Sequence, residues 1–251
     1  MDWWTERKEL WCKDTVDGTV VDACLGQQPG VQTYLDWLLS AWGWTLAVAG
    51  IGLAVALLVG AAVGVARTTP SRVLVGLGNA WTELFRNIPI IVQLFLWYFV
   101  VPEFIPALKA MPSVVLAGLG LGFFTSARIS EQVRAGIQSI SQGQRYAGLA
   151  MGLTLPQTYR YVLLPVAFRV VIPTLTSESM NVVKNSSVAF AISVLELTQF
   201  ARQVGEETSR PIETYLVVTV LYFVSAFTVF LIASAVERAV RVPGVVAGGT
   251  K

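Results

Sequence analysis

Three charged residues, Arg128, Glu178 and Lys184, sit in stretches that are otherwise apolar. A charge at the centre of a hydrocarbon layer costs about 2.5–3.5 kcal/mol on insertion scales, so such residues face a partner or a wet path. Asn181 follows Glu178, and Asn185, Ser186 and Ser187 follow Lys184, giving the segment a polar stripe. Two readings are open. In one, Arg128 and Lys184 face a solute path lined by Asn181, Asn185 and Ser186, and the path favours anionic groups. In the other, Glu178 is a structural intramembrane charge that pairs with Lys184 or Arg128, or Arg128 reaches back to the interface.

Other chemistry has little to stand on. There is no His, which removes the commonest metal ligand and general base. No Lys is followed by Ser or Thr, so a phosphate loop is absent, and so is a G-x-S-x-G nucleophile turn. No catalytic residue, metal site or bound cofactor is expected. The two cysteines, Cys12 and Cys24, both precede the first apolar run. They are too few for a structural zinc site; in an oxidising compartment they would form a disulfide, and otherwise they are two free thiols. The formal net charge of +2 gives a nucleic-acid partner no support.

A second candidate is the polar segment between two apolar runs, SQGQRYAGLAMGLTLPQTYRYVLLP. Gln144 to Leu153 reads as a short helix ended by Pro156. Gln144, Ala147, Gly148 and Met151 would share one face, with Tyr146, Gly152 and Leu153 beside them. Gly148 and Gly152 each weaken a helix by about 1 kcal/mol relative to Ala, which suggests a backbone packed closely against another surface. A plain amphipathic connector has the same spacing.

These residues must be held by membrane helices. The chain has 251 residues, 54% of them apolar and 14% charged, with mean hydropathy +0.61. Trp37 to Ala66 and Thr214 to Val236 carry no charge, and each exceeds the ~20 residues that cross a bilayer as a helix. The expected fold is an all-α polytopic membrane protein with five spans. Those spans are Trp42–Ala66, Ile88–Val101, Pro112–Ile129, Val170–Leu197 and Tyr215–Val236. The second is short and would borrow a turn from the connector before it. Trp3, Trp4 and Trp11 suit a short amphipathic helix on the membrane surface. No internal or inverted repeat is visible, which argues against the commonest secondary-carrier designs.

Five spans put the termini on opposite sides. One side then carries ten basic and three acidic residues, the other six basic and twelve acidic, with the three intramembrane charges left out. The positive-inside rule places the N-terminus outside and the C-terminus inside. The expected division is an extracytoplasmic segment 1–40, a transmembrane domain 41–240 with a cytoplasmic loop 131–165, and a cytoplasmic tail 241–251.

The pattern GQRYAGLAMGLTLPQTYRYVLLPVAFRVVIP resembles the cytoplasmic loop of bacterial ATP-binding cassette importer permeases. LFRNIPIIVQLFLWYFVVPE and SESMNVVKNSS resemble the polar amino-acid branch, and within it the glutamate/aspartate permeases. With VERAVRVPG, the likeness runs from about Trp42 to Gly244. It implies the type I (MetI-like) importer fold in a bacterial cytoplasmic (inner) membrane. It also implies a second permease subunit, a dimer of ATP-binding subunits that use ATP and Mg, and an extracytoplasmic solute-binding protein. The loop helix, Gln144 to Leu153, would sit in a groove of the ATPase. Two departures matter. The family often has Glu-Ala-Ala where this chain has Tyr146-Ala147-Gly148, so a Glu-mediated contact is missing. Arg128 stands where many members carry an aromatic residue, and a guanidinium there suits an acidic amino acid.

Overall fold

The computed structural model describes residues 10–16, 18–21 and 32–240. Trp3, Trp4 and Cys24, and with them the surface helix and the cysteine pairing, lie outside the described residues, as does the tail 241–251. The main helices are α1 (Tyr34–Ala66), α2 (Arg72–Asn87), α3 (Ile90–Phe104), α4 (Ser113–Gln138), α5 (Gln142–Ala150), α6 (Leu155–Ile192), α7 (Leu197–Thr208) and α8 (Pro211–Val240). Four of them, α1, α4, α6 and α8, are long and apolar enough to cross a membrane, and α2 with α3 forms a fifth, broken candidate.

α1 begins at Tyr34 rather than Trp42. Thr33 and Asp36 form a reciprocal capping box there, with the Asp36 N–H donating to Thr33 Oγ1 (3.2 Å) and the Thr33 N–H to Asp36 Oδ2 (3.0 Å). Its 33 residues measure about 50 Å at 1.5 Å per residue, against a hydrocarbon core of about 30 Å. The surplus at the N-terminal end packs on α7. Trp37 meets Phe200 edge-on at 5.4 Å, and Trp11, expected at the membrane surface, stacks on the same ring at 6.4 Å.

The second span is not a single helix that borrows a turn. The connector is itself a helix, α2, and it meets α3 at 105°. Pro89 lacks an N–H, and Gln93 repairs the break by donating from Nε2 to the carbonyls of Phe85 (2.7 Å) and Ile88 (2.9 Å). α3 carries a π turn at Leu96–Val100.

The centre of the bundle is the α1–α4 pair. Gly52, Ala56, Gly60 and Gly64 recur every fourth residue on α1, and Gly118, Gly122, Ser126 and Ser130 do so on α4. A Cβ at Gly60 would lie 2.7 Å from Ile129 side-chain atoms and 2.9 Å from the Ser126 carbonyl oxygen. From the other side, a Cβ at Gly122 would lie 2.6 Å from Val55 Cβ and one at Gly118 2.5 Å from Ile51 Cγ2. Small residues at this spacing let two membrane helices meet backbone to backbone.

Arg67, the C-cap of α1, closes this seam. It is buried, and all three guanidinium nitrogens are used: Nε donates to Asn79 Oδ1 (2.9 Å), Nη1 to Ser130 Oγ (3.0 Å) and Nη2 to Glu131 Oε1 (2.8 Å). One side chain thus joins α1, α2 and α4. At the opposite end Glu196, fully buried, caps α7 by accepting from the N–H groups of Thr198 (2.9 Å) and Gln199 (3.0 Å), while Tyr222 on α8 donates its hydroxyl to the same carboxylate. Burial pushes the Glu196 carboxyl above its ordinary range, and these donors offset some of that.

The seam makes a test possible. Replacing Gly60 with Leu must push α1 from a backbone carbonyl, and overpacking of this kind costs about 1–3 kcal/mol. The expected outcome is a melting temperature of the solubilised protein lowered by several degrees. Gly50→Ala, at a glycine whose Cβ would meet nothing within 4 Å, should leave it the same or slightly higher, since Ala favours the helix. Equal melting of the two variants would contradict the close α1–α4 contact.

Candidate functional site

The intramembrane charges come from two neighbouring helices. α4 runs on past Ile129 through Glu131 to Gln138, so Arg128 lies well inside the helix. α6 starts at Leu155, earlier than Val170. It carries a π turn at Tyr159–Leu163, contains Pro165 and Pro173, and ends in a 3-10 segment from Ser186 to Ile192. The loop expected over 131–165 is therefore helical at both ends, and only the stretch around α5 connects the two spans.

Arg128 faces Glu178 across the α4–α6 contact, Nη1 to Oε2 at 3.7 Å. Gln132 donates from Nε2 to the other carboxylate oxygen at 3.3 Å. Glu178 is nearly buried, its Oε2 accepts no hydrogen bond, and the Arg128 side chain is 46% exposed. The guanidinium carbon lies 5.6 Å from the centre of the Phe124 ring. This is an ion pair at contact distance without a hydrogen bond. The half-exposed guanidinium retains donors without a hydrogen-bond partner among the described residues.

The polar stripe is only partly gathered around this pair. At 3.6 residues per turn, Glu178, Asn181 and Asn185 fall within roughly 60° of one another, and Lys184 lies roughly 120° from Glu178. Asn181 and Asn185 are half-buried and Lys184 is exposed, without a charged partner among the described residues. Ser186 is buried, and its hydroxyl donates to the Val183 carbonyl of its own helix (2.7 Å). Of the two pairings open to Glu178, the structure makes the one with Arg128. Gln132 is the contributor that the sequence reading missed. It stands one helical turn after Arg128, a spacing that puts both on one face.

α5 is the second candidate. Gln144, Tyr146, Ala147 and Met151 are exposed, Met151 at 78%. Leu149 is also exposed and Leu153 is half-buried. Gly148, expected on the outer face, points inward: a Cβ there would lie 3.0 Å from Thr158 Cγ2. Gly152 has φ +82°, with open space around its Cα. It closes a Schellman turn, in which Leu153 N–H donates to the Gly148 carbonyl (3.2 Å) and Gly152 N–H to the Leu149 carbonyl (3.0 Å). Pro156 does not end α5. It lies in the first turn of α6, where its missing N–H costs nothing, behind a capping box of Thr154 and Gln157. Tyr159 anchors the start of α6 by donating its hydroxyl to the Thr68 carbonyl (2.6 Å) just past α1. No group of three or more metal-ligating side chains occurs among the described residues.

A family model described as the binding-protein-dependent transport system inner membrane component matches residues 52–242. The chain belongs to this family. It is 44% identical over 235 residues to the glutamate/aspartate import permease protein GltJ of Escherichia coli (strain K12), covering 89% of this chain and 96% of that protein. It is 37% identical over 180 residues to the probable glutamine ABC transporter permease protein GlnM of Bacillus subtilis (strain 168), covering 72% and 82%. Among solved structures, an amino acid ABC transporter crystallised with histidines matches at TM-score 0.71 with 27% identity, over 82% of this chain and 95% of that one. The MetNI methionine transporter matches at TM-score 0.67 and 23% identity, a likeness of fold. Members of this family are multi-pass permease subunits without an ATPase site, and hydrolysis belongs to a partner subunit. The expected all-α, MetI-like permease fold and the importer-permease reading hold.

The turn after α5 gives a direct test. An L side chain in the left-handed region costs about 1–2 kcal/mol. Gly152→Ala should therefore loosen the Schellman turn and speed amide exchange at Leu153 several-fold. Gly143→Ala, inside the first turn of α5 and away from close contacts, should not. Unchanged exchange in Gly152→Ala would mean that the turn does not hold the helix end.

Proposed function

We propose that this chain is the transmembrane subunit of an ATP-driven importer for glutamate or aspartate. In this reading the N-terminal segment 1–40 faces outward and the loop 131–165 and tail 241–251 face the cytoplasm. The bilayer is the bacterial cytoplasmic membrane. A second permease subunit completes the pore, a dimer of ATP-binding subunits hydrolyses ATP with Mg below it, and a solute-binding protein delivers the amino acid from outside. The exposed side of α5 and of the turn after it, with Gln144, Tyr146, Ala147 and Met151 and with half-buried Leu153 beside them, docks on the ATPase. Gly148 packs α5 on α6 from within, and Gly152, in open space, ends the helix. Cys12 and Cys24 form a disulfide on the outer side.

The observation that carries the choice of substrate is the loose Arg128–Glu178 pair. A guanidinium half-exposed beside one carboxylate can accept a second, and two parallel N–H···O bonds fix a substrate carboxylate in place. Asn181, Asn185 and Lys184 extend the polar lining along α6, and Ser186, buried with its hydroxyl on the Val183 carbonyl, closes that stripe at the end of the helix. The 44% identity to a glutamate/aspartate permease supports the same choice. A second relative, glutamate/aspartate import permease protein GltK of Escherichia coli O157:H7, is 29% identical over 209 residues and supports a pair of unlike permease subunits.

The deciding experiment is the ATPase rate of the whole complex in lipid, with a binding protein loaded with glutamate, aspartate or glutamine. Stimulation by the acidic ligands is expected, and stimulation by glutamine alone would move the assignment to glutamine. Arg128→Ala should lower glutamate uptake about tenfold to a hundredfold, the loss of a charge-assisted bond of about 1.5–3 kcal/mol, with the ATPase still co-purifying. Normal uptake in that variant would take Arg128 out of the path. Glu178→Gln removes the competing carboxylate while keeping an acceptor for Gln132, and should lower KM for glutamate; a raised KM would make Glu178 a positioning residue instead.

A further inference from the structure

Two apolar grooves lie side by side on the bundle. One, of about 740 Å³, runs between α1, α4 and α6 along Ala61, Val65, Ile129, Val133 and Val171, with no polar side chain in its lining. The other, of about 440 Å³, runs between α1, α6 and α8 along Leu53, Ile172, Val229, Ile232 and Val236. Its two hydroxyls are spent inside their own helix, Thr176 on the Ile172 carbonyl (3.2 Å) and Ser179 on that of Leu175 (2.8 Å). Leu57, Phe168 and Leu175 line both grooves and form the ridge between them. Phe168 stands out at 54% exposure.

Both grooves run toward the same end of the bundle, where α1 finishes, α6 begins and α8 finishes. Two exposed arginines, Arg160 and Arg238, lie near that end, and a third, Arg169, stands about 14 Å further along α6 than Arg160. Arg160 lies one turn before Leu164 and Pro165, which line the first groove, and its guanidinium carbon is 5.6 Å from the centre of the Tyr161 ring. Arg238 follows Val236 at the end of the second groove, beside Glu237 in sequence, and Arg169 is next to the ridge. None of the three arginines forms an ion pair among the described residues. From Arg160 to Leu175 the helix rises about 22 Å, the depth of one leaflet of a membrane ~40–45 Å thick with its headgroups.

We propose that this surface holds one anionic phospholipid, with a chain in each groove astride Phe168 and its phosphate between Arg160 and Arg238. Paired apolar channels suit two acyl chains, and unpaired juxtamembrane arginines attract anionic headgroups. The site rests on the membrane placement of the chain and is independent of which amino acid is carried.

The test uses the intact complex purified in mild detergent, exchanged into mixed phosphatidylglycerol and phosphatidylcholine, with retained lipid measured by mass spectrometry. Retention of phosphatidylglycerol over phosphatidylcholine is expected, and Arg160→Gln with Arg238→Gln should lower that preference about tenfold. A photoreactive phenylalanine analogue at Phe168, in an otherwise native chain, should label phospholipid. Equal retention of the two lipids, a preference unaltered in the double variant, or label recovered on a permease chain would each overturn the proposal. The label at Phe168 decides the matter if the double variant does not assemble.

Discussion

The close approach of α1 and α4 is the constraint on which the rest of the bundle depends. Hydrocarbon offers apolar side chains no reason to leave it, so membrane helices associate through contact of backbones and through polar groups that need one another. Four small residues on each helix supply the first. Arg67 supplies the second, because a buried guanidinium at the end of α1, with three partners on α2 and α4, has no comparable place in lipid. Ser130 serves both purposes, being small enough for the seam while its hydroxyl meets Arg67 (3.0 Å) and Thr82 (2.8 Å). With α4 fixed on α1, Arg128 is presented on the opposite side, toward α6.

The two arginines show how environment divides one side-chain type between roles. Arg67 is enclosed and saturated, so moving it would leave its own buried donors without partners, and it behaves as a rivet. Arg128 is half-exposed and pairs at 3.7 Å with a carboxylate oxygen that accepts no hydrogen bond. A pair of that kind holds weakly in a wet site and is readily exchanged for another carboxylate.

Much of the architecture is legible in the residues. Uncharged runs locate α1 and α8, and charge amid apolar sequence locates Arg128 and Glu178. The differences have specific physical causes. Asp36 breaks the hydropathy pattern and hides the true start of α1, although Thr33-x-x-Asp36 is a readable capping signal. α2 resembles a connector because only one of its faces is apolar. Pro156 reads as a stop, yet a proline stops the helix before it and starts the one after it equally well. Gly148 and Gly152 look alike in sequence, but one is small because Thr158 crowds it and the other because its φ is positive, and sequence does not distinguish the two. Lys184 joins the stripe by proximity along the chain, whereas the helical turn sets it apart from Glu178.

The connection between α5 and the ion pair follows from the chain path. α4 leads into α5 after Gln138, and α6 leaves it at Leu155, so the two helices that carry Arg128 and Glu178 are the two attached to α5. The attachment is stiff on the α6 side, where Gly148 packs on Thr158; Tyr159 in turn ties the start of α6 to Thr68 just past α1. On the α4 side α1 and Arg67 restrain any movement. In the proposed reading a push on α5 would be taken up within α6, beyond the Tyr159–Thr68 tie, rather than by α4. Pro173, which lacks its ladder hydrogen bond, and the π turn at Tyr159–Leu163 are the places in α6 where bending costs least. A slide of about an ångström would separate the guanidinium from a carboxylate already 3.7 Å away, and the arginine freed from Glu178 is left to whatever anion occupies the path.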